Sequence, residues 1–188
     1  MPKSKSSQWL MFLAQLPTSP SSARVALWRR LRAAGAVGFM TGAWVLPLRD
    51  EHEALFRHLA ETVRTQGGQA AVFVAQSLDD GDAAVIERFR ADRAREYAEF
   101  EDRSQALLAE IEKERRLRKF TFAELEEIED DFQKLTTWLL KIEARDFFPA
   151  TGREAARKTL ATCQAAQAGF AEDVYAHEGL GAPDETNP

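Results

Sequence analysis

The sequence predicts an α+β fold, with a four-stranded sheet unit up to about residue 78 and helices alone thereafter. Three observations predict it. Short apolar runs at 8–16, 36–40, 43–46 and 70–75 are each closed by Pro, Gly or a polar cluster, as strands are. Amphipathic segments separate the first run from the second and the third from the fourth. Beyond Asp79-Asp80-Gly81 only helical periodicity remains.

Gln8 to Leu16 is a compact apolar run ended by Pro17, the length of a buried strand. Ser19 offers an N-cap with Pro20 at the first helical position, and the helix runs to about Gly35, a suitable C′ residue. Leu27, Leu31 and Ala34 form its inner face. Thr41-Gly42 joins the next two β-like runs, so they read as a hairpin. Asp50 and Glu53 have capping-box spacing ahead of Leu55, Leu59 and Val63, giving a second helix that ends near Gly67-Gly68. Ala70 to Ala75 is the fourth strand. The order βαββαβ is that of a ferredoxin-like fold, an antiparallel sheet with two helices on one face.

The second part is helical. One long segment runs from about Asp82 to Lys119, with Ile86, Phe89, Tyr97, Phe100, Leu107 and Ile111 on its buried side. Thr121 and Glu124 form another capping box, and Leu125, Ile128, Phe132, Leu135, Leu139 and Ile142 then alternate at spacings of three and four. That seam needs a partner, and the preceding helix supplies it in a helical hairpin. A C-terminal helix covers roughly Gly152 to Glu178. The expected organisation is therefore 8–78 as the sheet unit, 79–178 as the helical extension and 179–188 as a flexible tail.

Composition narrows the class. An apolar fraction of 45% and a charged fraction of 29% are ordinary for a globular domain. No apolar run approaches the roughly 18 residues of a membrane span, so no membrane partner is expected. Lys3 and Lys5 precede an apolar stretch, but Gln15 and Pro17 interrupt it before a cleavage site, and a cytoplasmic location is expected. Cys163 stands alone, which excludes an internal disulfide.

No constellation identifies an enzyme. His52 and His58 are six residues apart, on different sides of a helix, and read with His177 as surface histidines rather than metal ligands. The acids Glu126, Glu127, Glu129, Asp130 and Asp131 follow a helix start, where dipole compensation accounts for them. Cys163 shares a face with Leu160, Phe170 and Val174 and reads as a buried thiol. No phosphate loop, dinucleotide fingerprint or Ser/His/Asp order occurs. No catalytic residue, metal ligand or cofactor is assigned.

Charge is uneven within a net of −5. Residues 1–70 hold nine Lys and Arg against four Asp and Glu, so the acidic excess lies in the remainder. Arg29 and Arg32, opposite Leu27 and Leu31, are expected to face water. With Arg24, Arg30, Arg57 and Arg64 they form the candidate surface for nucleic acid or an oxyanion. The denser run Lys113, Arg115, Arg116, Arg118 and Lys119 sits at a helix end and reads as dipole compensation.

Several spaced motifs carry a resemblance. Trp9-Leu10, Leu13 to Pro17, Arg24, Leu27-Trp28-Arg29, Leu31 and Gly35 are followed by Gly42 to Pro47 and Gly67-Gly68. Arg88-Phe89-Arg90, Tyr97, Ile142 and Asp146-Phe147-Phe148 continue in order. Together they resemble the N-terminal domain of the ChrB family of bacterial chromate-resistance regulatory proteins. The resemblance implies a chromate-responsive regulator, a repressor of an efflux operon, with operator DNA and the chromate oxyanion as partners. The sheet unit is also similar to the middle domain of PaaX-type repressors and to Cas2-like nucleases. Gln15-Leu16-Pro17 lacks the acidic residue such a nuclease carries after its first strand, which disfavours that alternative. No helix-turn-helix segment of the PaaX kind precedes the sheet, and longer ChrB proteins carry a further C-terminal domain. A non-enzymatic dimerisation or scaffold module is the other alternative. The apolar seam at 125–142 and the pairing habit of such sheets lead us to expect a homodimer.

Overall fold

The computed structural model describes residues 8–19, 21–78 and 81–179. The expectations placed on Lys3, Lys5, Pro20, the Asp79-Asp80 turn and the tail beyond Gly179 lie outside these residues. The elements run β1 (Gln8–Gln15), α1 (Ser21–Ala33), β2 (Val37–Met40), β3 (Ala43–Pro47), α2 (Asp50–Thr65), β4 (Gln69–Gln76), α3 (Gly81–Leu117), α4 (Phe122–Ala144) and α5 (Arg153–His177). Two compact units result. The first comprises residues up to Asp92 with Arg145–Pro149, and the second comprises Arg93–Ala144 with the chain from Ala150 onward. The division falls inside α3, whereas the change from mixed to purely helical periodicity lies at 78/79.

In the first unit the strand order is β2-β3-β1-β4, all antiparallel, the ferredoxin-like arrangement. β1 lies between β3 and β4, and both of its faces are covered near its start. Trp9, Leu10 and Phe12 are all buried, which is why β1 reads as a continuous apolar run rather than an alternating one. Phe12 meets Phe56 of α2 at a centroid distance of 5.2 Å. Trp9, on the opposite face, meets Phe89 of α3 and Phe148.

Helix ends follow local chemistry. α1 closes in a Schellman motif: Ala36 N–H donates to Leu31 O at 2.9 Å and Gly35 N–H to Arg32 O at 3.0 Å, with Gly35 at φ 78°. α2 ends the same way at Gly67-Gly68, where Gly68 donates to Val63 O and Gly67 to Arg64 O. The α2 start departs from expectation, because Asp50 is already helical. Arg49 occupies the N-cap in extended conformation without a side-chain cap, and Asp50, Glu51 and Glu53 fill the first turn as dipole partners. Gly42 turns the β2–β3 hairpin at φ 78°, where a Cβ would sit 2.8 Å from Ala14 O.

In the second unit α4 presents the predicted seam, with Leu125, Ile128, Leu135, Leu139 and Ile142 buried and Phe132 partly so. Two helices cover it rather than one. Phe100 of α3 meets Trp138 of α4 at 5.8 Å. α5 lies along α4 and is tied to it by Arg157 to Glu143 at 2.6 Å and by Gln167 to Glu129 at 3.3 Å. The seam is thus satisfied within the chain by the expected hairpin partner α3 together with the C-terminal helix α5. That removes the seam as an argument for a second copy.

α3 carries its own seam in the same rhythm, from Phe89 through Arg93, Tyr97, Phe100, Ser104, Leu107 and Ile111 to Glu114, and every one of these is buried. Near its start Val85 is buried and Ile86 only partly so. Three of the seam residues, Arg93, Ser104 and Glu114, are polar side chains that apolar periodicity does not mark.

Candidate anion or nucleic-acid interface

Four of the six candidate arginines lie on α1, whose sequence SSARVALWRRLRA contains no acidic residue, and two lie on α2. Part of this placement is helix-end chemistry, since Arg30 and Arg32 in the last turn of α1 complement its carboxyl end. The structure divides the six by what they touch.

Arg29 and Arg30 are exposed, and neither has a hydrogen-bond or ion-pair partner among the described residues. Arg30 stands at a cleft of about 190 Å³ between α1 and α2, which Thr62 and Gln66 also line. Arg24 is exposed and donates to Thr18 O at 2.9 Å. It borders a larger open cavity of about 550 Å³ walled by Trp28 and Trp44. Trp28 is 52% exposed, large for a tryptophan. These three arginines are available to an anion.

The other three are occupied to different degrees. Arg32 does not face water freely as expected. Its Nη1 donates to Asp92 Oδ2 at 2.8 Å, and its carbonyl accepts from Arg145 Nη1 at 3.2 Å. The α1 face that the leucines leave open is covered there by α3 and the 145–149 segment, so Arg32 is structural. Arg57 pairs with Glu53 one turn earlier at 2.7 Å, and Arg64 donates to Ala70 O at 2.9 Å. An exposed pair of the first kind is weak, so Arg57 can be recruited at small cost.

The competing basic run resolves as a helix terminus. Arg118 N–H donates to Arg115 O and Lys119 N–H to Glu114 O, both at 3.0 Å, a Schellman motif with Arg118 itself at φ 55°. Glu114, 1% exposed, is held between Lys113 and Lys119 at 3.1 Å each. Burial pushes its carboxyl pKa up, but hydrogen bonds from Lys119 and Lys113 outweigh that and leave it below the ordinary range. Both lysines are correspondingly raised, Lys113 by Glu110 and Glu114, Lys119 by Glu114 and Glu124. Arg115 pairs with Asp173 at 2.9 Å. Most of the run's charge is therefore already neutralised.

Of the remaining candidates, His52 is not a surface residue. It is 6% exposed, its Nδ1–H donates to Pro47 O at 2.8 Å, and its ring meets the edge of Phe147 at 5.0 Å. Cys163 is fully buried on α5, its thiol donating to Ser104 O at 3.6 Å, and burial pushes its pKa up. Thr121 Oγ1 accepts from Glu124 N–H at 3.3 Å, which makes the acids of α4 the first turns of a capped helix. Among the described residues no three His, Cys, Asp or Glu side chains gather as metal ligands would, and no helix is long and apolar enough to cross a membrane.

Residues 24–180 match the family model described as Protein ChrB, N-terminal. The chain is 35% identical over 100 residues to Protein ChrB of Cupriavidus metallidurans, a stretch that covers 53% of this chain and 31% of that protein. No solved structure matches.

Proposed function

The chain belongs to the ChrB N-terminal family, a family associated with chromate resistance, and from that premise we propose that it is a chromate-responsive transcriptional regulator that meets operator DNA without catalysis. The observation that carries the reading is α1, an acid-free helix on which Arg29 and Arg30 remain exposed and unengaged among the described residues. Arg24 on α1 and Arg57 on α2 are exposed as well. Guanidinium groups suit phosphate and tetrahedral oxyanions alike, because their forked donors match two oxygens at once. No base-reading element is assigned, so the arginines supply position and affinity rather than sequence choice.

The test is a gel-retardation titration of the whole chain against its own upstream region, with and without chromate. Specific retardation that chromate relieves supports the reading. Retardation no stronger than that of unrelated DNA, at physiological salt, overturns it.

A further inference from the structure

We propose that the chain pairs with a second copy of itself through β4, edge to edge and antiparallel about a two-fold axis at Phe73, joining two four-stranded sheets into one. This stands apart from the DNA reading and rests on the edge itself.

β4 is an outer strand of the sheet. It is eight residues long, reads QAAVFVAQ, and carries no charge and no proline. Natural edges are usually blunted by charge, proline, bulges or brevity, and β2 at the other side shows this plainly. β2 has four residues and a register shift between Gly38 and Met40, and Arg88 Nη1 donates to its Gly38 carbonyl at 2.8 Å. β4 has none of these protections along 71–76. Phe73 is 51% exposed and Val74 56%, on opposite faces of the strand.

The sequence is self-complementary about Phe73. Val72 and Val74 flank it, then Ala71 and Ala75, so an antiparallel copy places Val against Val and Ala against Ala. Backbone direction agrees with that axis. Ala14, opposite Ala70, sends its N–H to Gly42 O at 2.8 Å, away from β4. The Ala14↔Ala70 pair is therefore one that exchanges no hydrogen bonds, and the N–H and C=O groups of Ala70 point outward. Arg64 confirms the direction by donating to Ala70 O from outside the sheet. Alternation then turns Val72, Val74 and Gln76 outward as well. An axis at Phe73 pairs Val72 with the copy's Val74, both of the outward kind, and places the two phenylalanines opposite each other at a pair free of hydrogen bonds. There side chains approach most closely and aromatic pairs contribute most. Arg64, on the Ala70 carbonyl, limits the new ladder to the Val72–Val74 core and disfavours a slip toward Gln69.

Light scattering and sedimentation of the whole chain at tens of micromolar should give a dimer. Val74→Pro removes a donor that β1 does not use, so the fold survives while each copy loses one bond of the new ladder, and dimer affinity should fall about thirtyfold. Phe73→Lys sets two like charges face to face and should give a monomer, which keeps the test decisive if the proline variant misfolds. Phe73→Cys should form an intermolecular disulfide under mild oxidation, since opposed Cα atoms lie about 4.5 Å apart at such a pair. Val72→Cys, displaced from its own copy, should not, and buried Cys163 should not contribute. A wild-type monomer, leaving the edge to a foreign strand, overturns the proposal. So does a dimer that persists in Phe73→Lys, or crosslinking through Val72→Cys in place of Phe73→Cys.

Discussion

Trp9 of β1 lies parallel to Phe89 of α3, ring centroids 6.0 Å apart and planes within 9°. Phe148 leans on both, at 5.8 Å from Trp9 and 5.4 Å from Phe89. The indole N–H is also satisfied, donating to Asp82 Oδ1 at 2.7 Å. A residue at the start of the chain, one at the base of the long helix and one after α4 thus close the open face of the sheet. Phe89 is 2% exposed. Phe89→Ala should lower stability by about 3–5 kcal/mol, read as a shift in denaturant midpoint, because the cavity opens among the rings of Trp9, Phe147 and Phe148. A loss under 1 kcal/mol, order of magnitude, would show that the stack is peripheral.

Arg118 adopts a left-handed conformation that only glycine takes without strain. Arg118→Gly should stabilise the chain by about 0.5–1 kcal/mol after the added freedom of the unfolded glycine is set against the relieved strain. Thermal melts of the two proteins side by side measure it, and a lower midpoint for the variant counts against the motif.

The Lys113–Glu114–Lys119 cluster makes stability depend on pH at both ends. Glu114 has a depressed pKa, so its contribution is complete above the ordinary 4.5 and is lost as pH falls through the lower folded value. Lys113 and Lys119 are raised, so theirs is complete below 10.5 and is lost as pH rises through the higher folded values. Glu114→Gln should therefore be less stable than the native chain at neutral pH, with the gap closing in acid. A gap of constant size from pH 7 down to strong acid would remove Glu114's ionisation from the account.

Cys163 should resist alkylation in the folded chain at neutral pH, since burial holds the thiol protonated and covered. Cys163→Ser should cost on the order of 1–2 kcal/mol and leave any chromate response unchanged. Loss of the response at unchanged stability would make the thiol a sensor instead.

Arg29→Ala with Arg30→Ala should weaken DNA binding, leave the melting temperature unaltered and flatten the slope of log affinity against log salt by about 0.9 per lost phosphate contact. Arg32→Ala should instead destabilise by about 1–3 kcal/mol, because Asp92 loses its partner in a partly buried setting. If neutralising Arg115, Arg116 and Arg118 abolishes binding while the Arg29/Arg30 pair proves dispensable, the interface lies on the helix terminus.

Local signals were legible where the local chain decides the outcome. The four strands, the hairpin at Gly42, the stops at Gly35 and Gly67-Gly68 and the cap at Thr121 all follow from turn and capping chemistry within a few residues. Cys163 was legible as buried because it shares a helical stripe with Phe170 and Val174. The candidate surface was legible only in part. Charge counting located Arg29 and Arg30 but could not separate them from Arg32, whose partner is 60 residues away in sequence. His52 differs for a similar reason, since Phe147, far along the chain, packs against its ring, while its Nδ1–H is taken up locally by the Pro47 carbonyl.

The sequence by itself determined the identity and order of the elements, because periodicity, caps and glycine conformations act over one or two turns. Tertiary structure decided which faces those elements cover. It assigned the α4 seam to α3 and α5 together, returned Phe147 and Phe148 to the sheet unit, and tied Arg32 to Asp92 while leaving Arg29 free. It also left β4 as a bare edge while β2 was blunted. These outcomes depend on the meeting of segments far apart in the chain, where burial and pairing outweigh local preference and no short window of residues contains both partners.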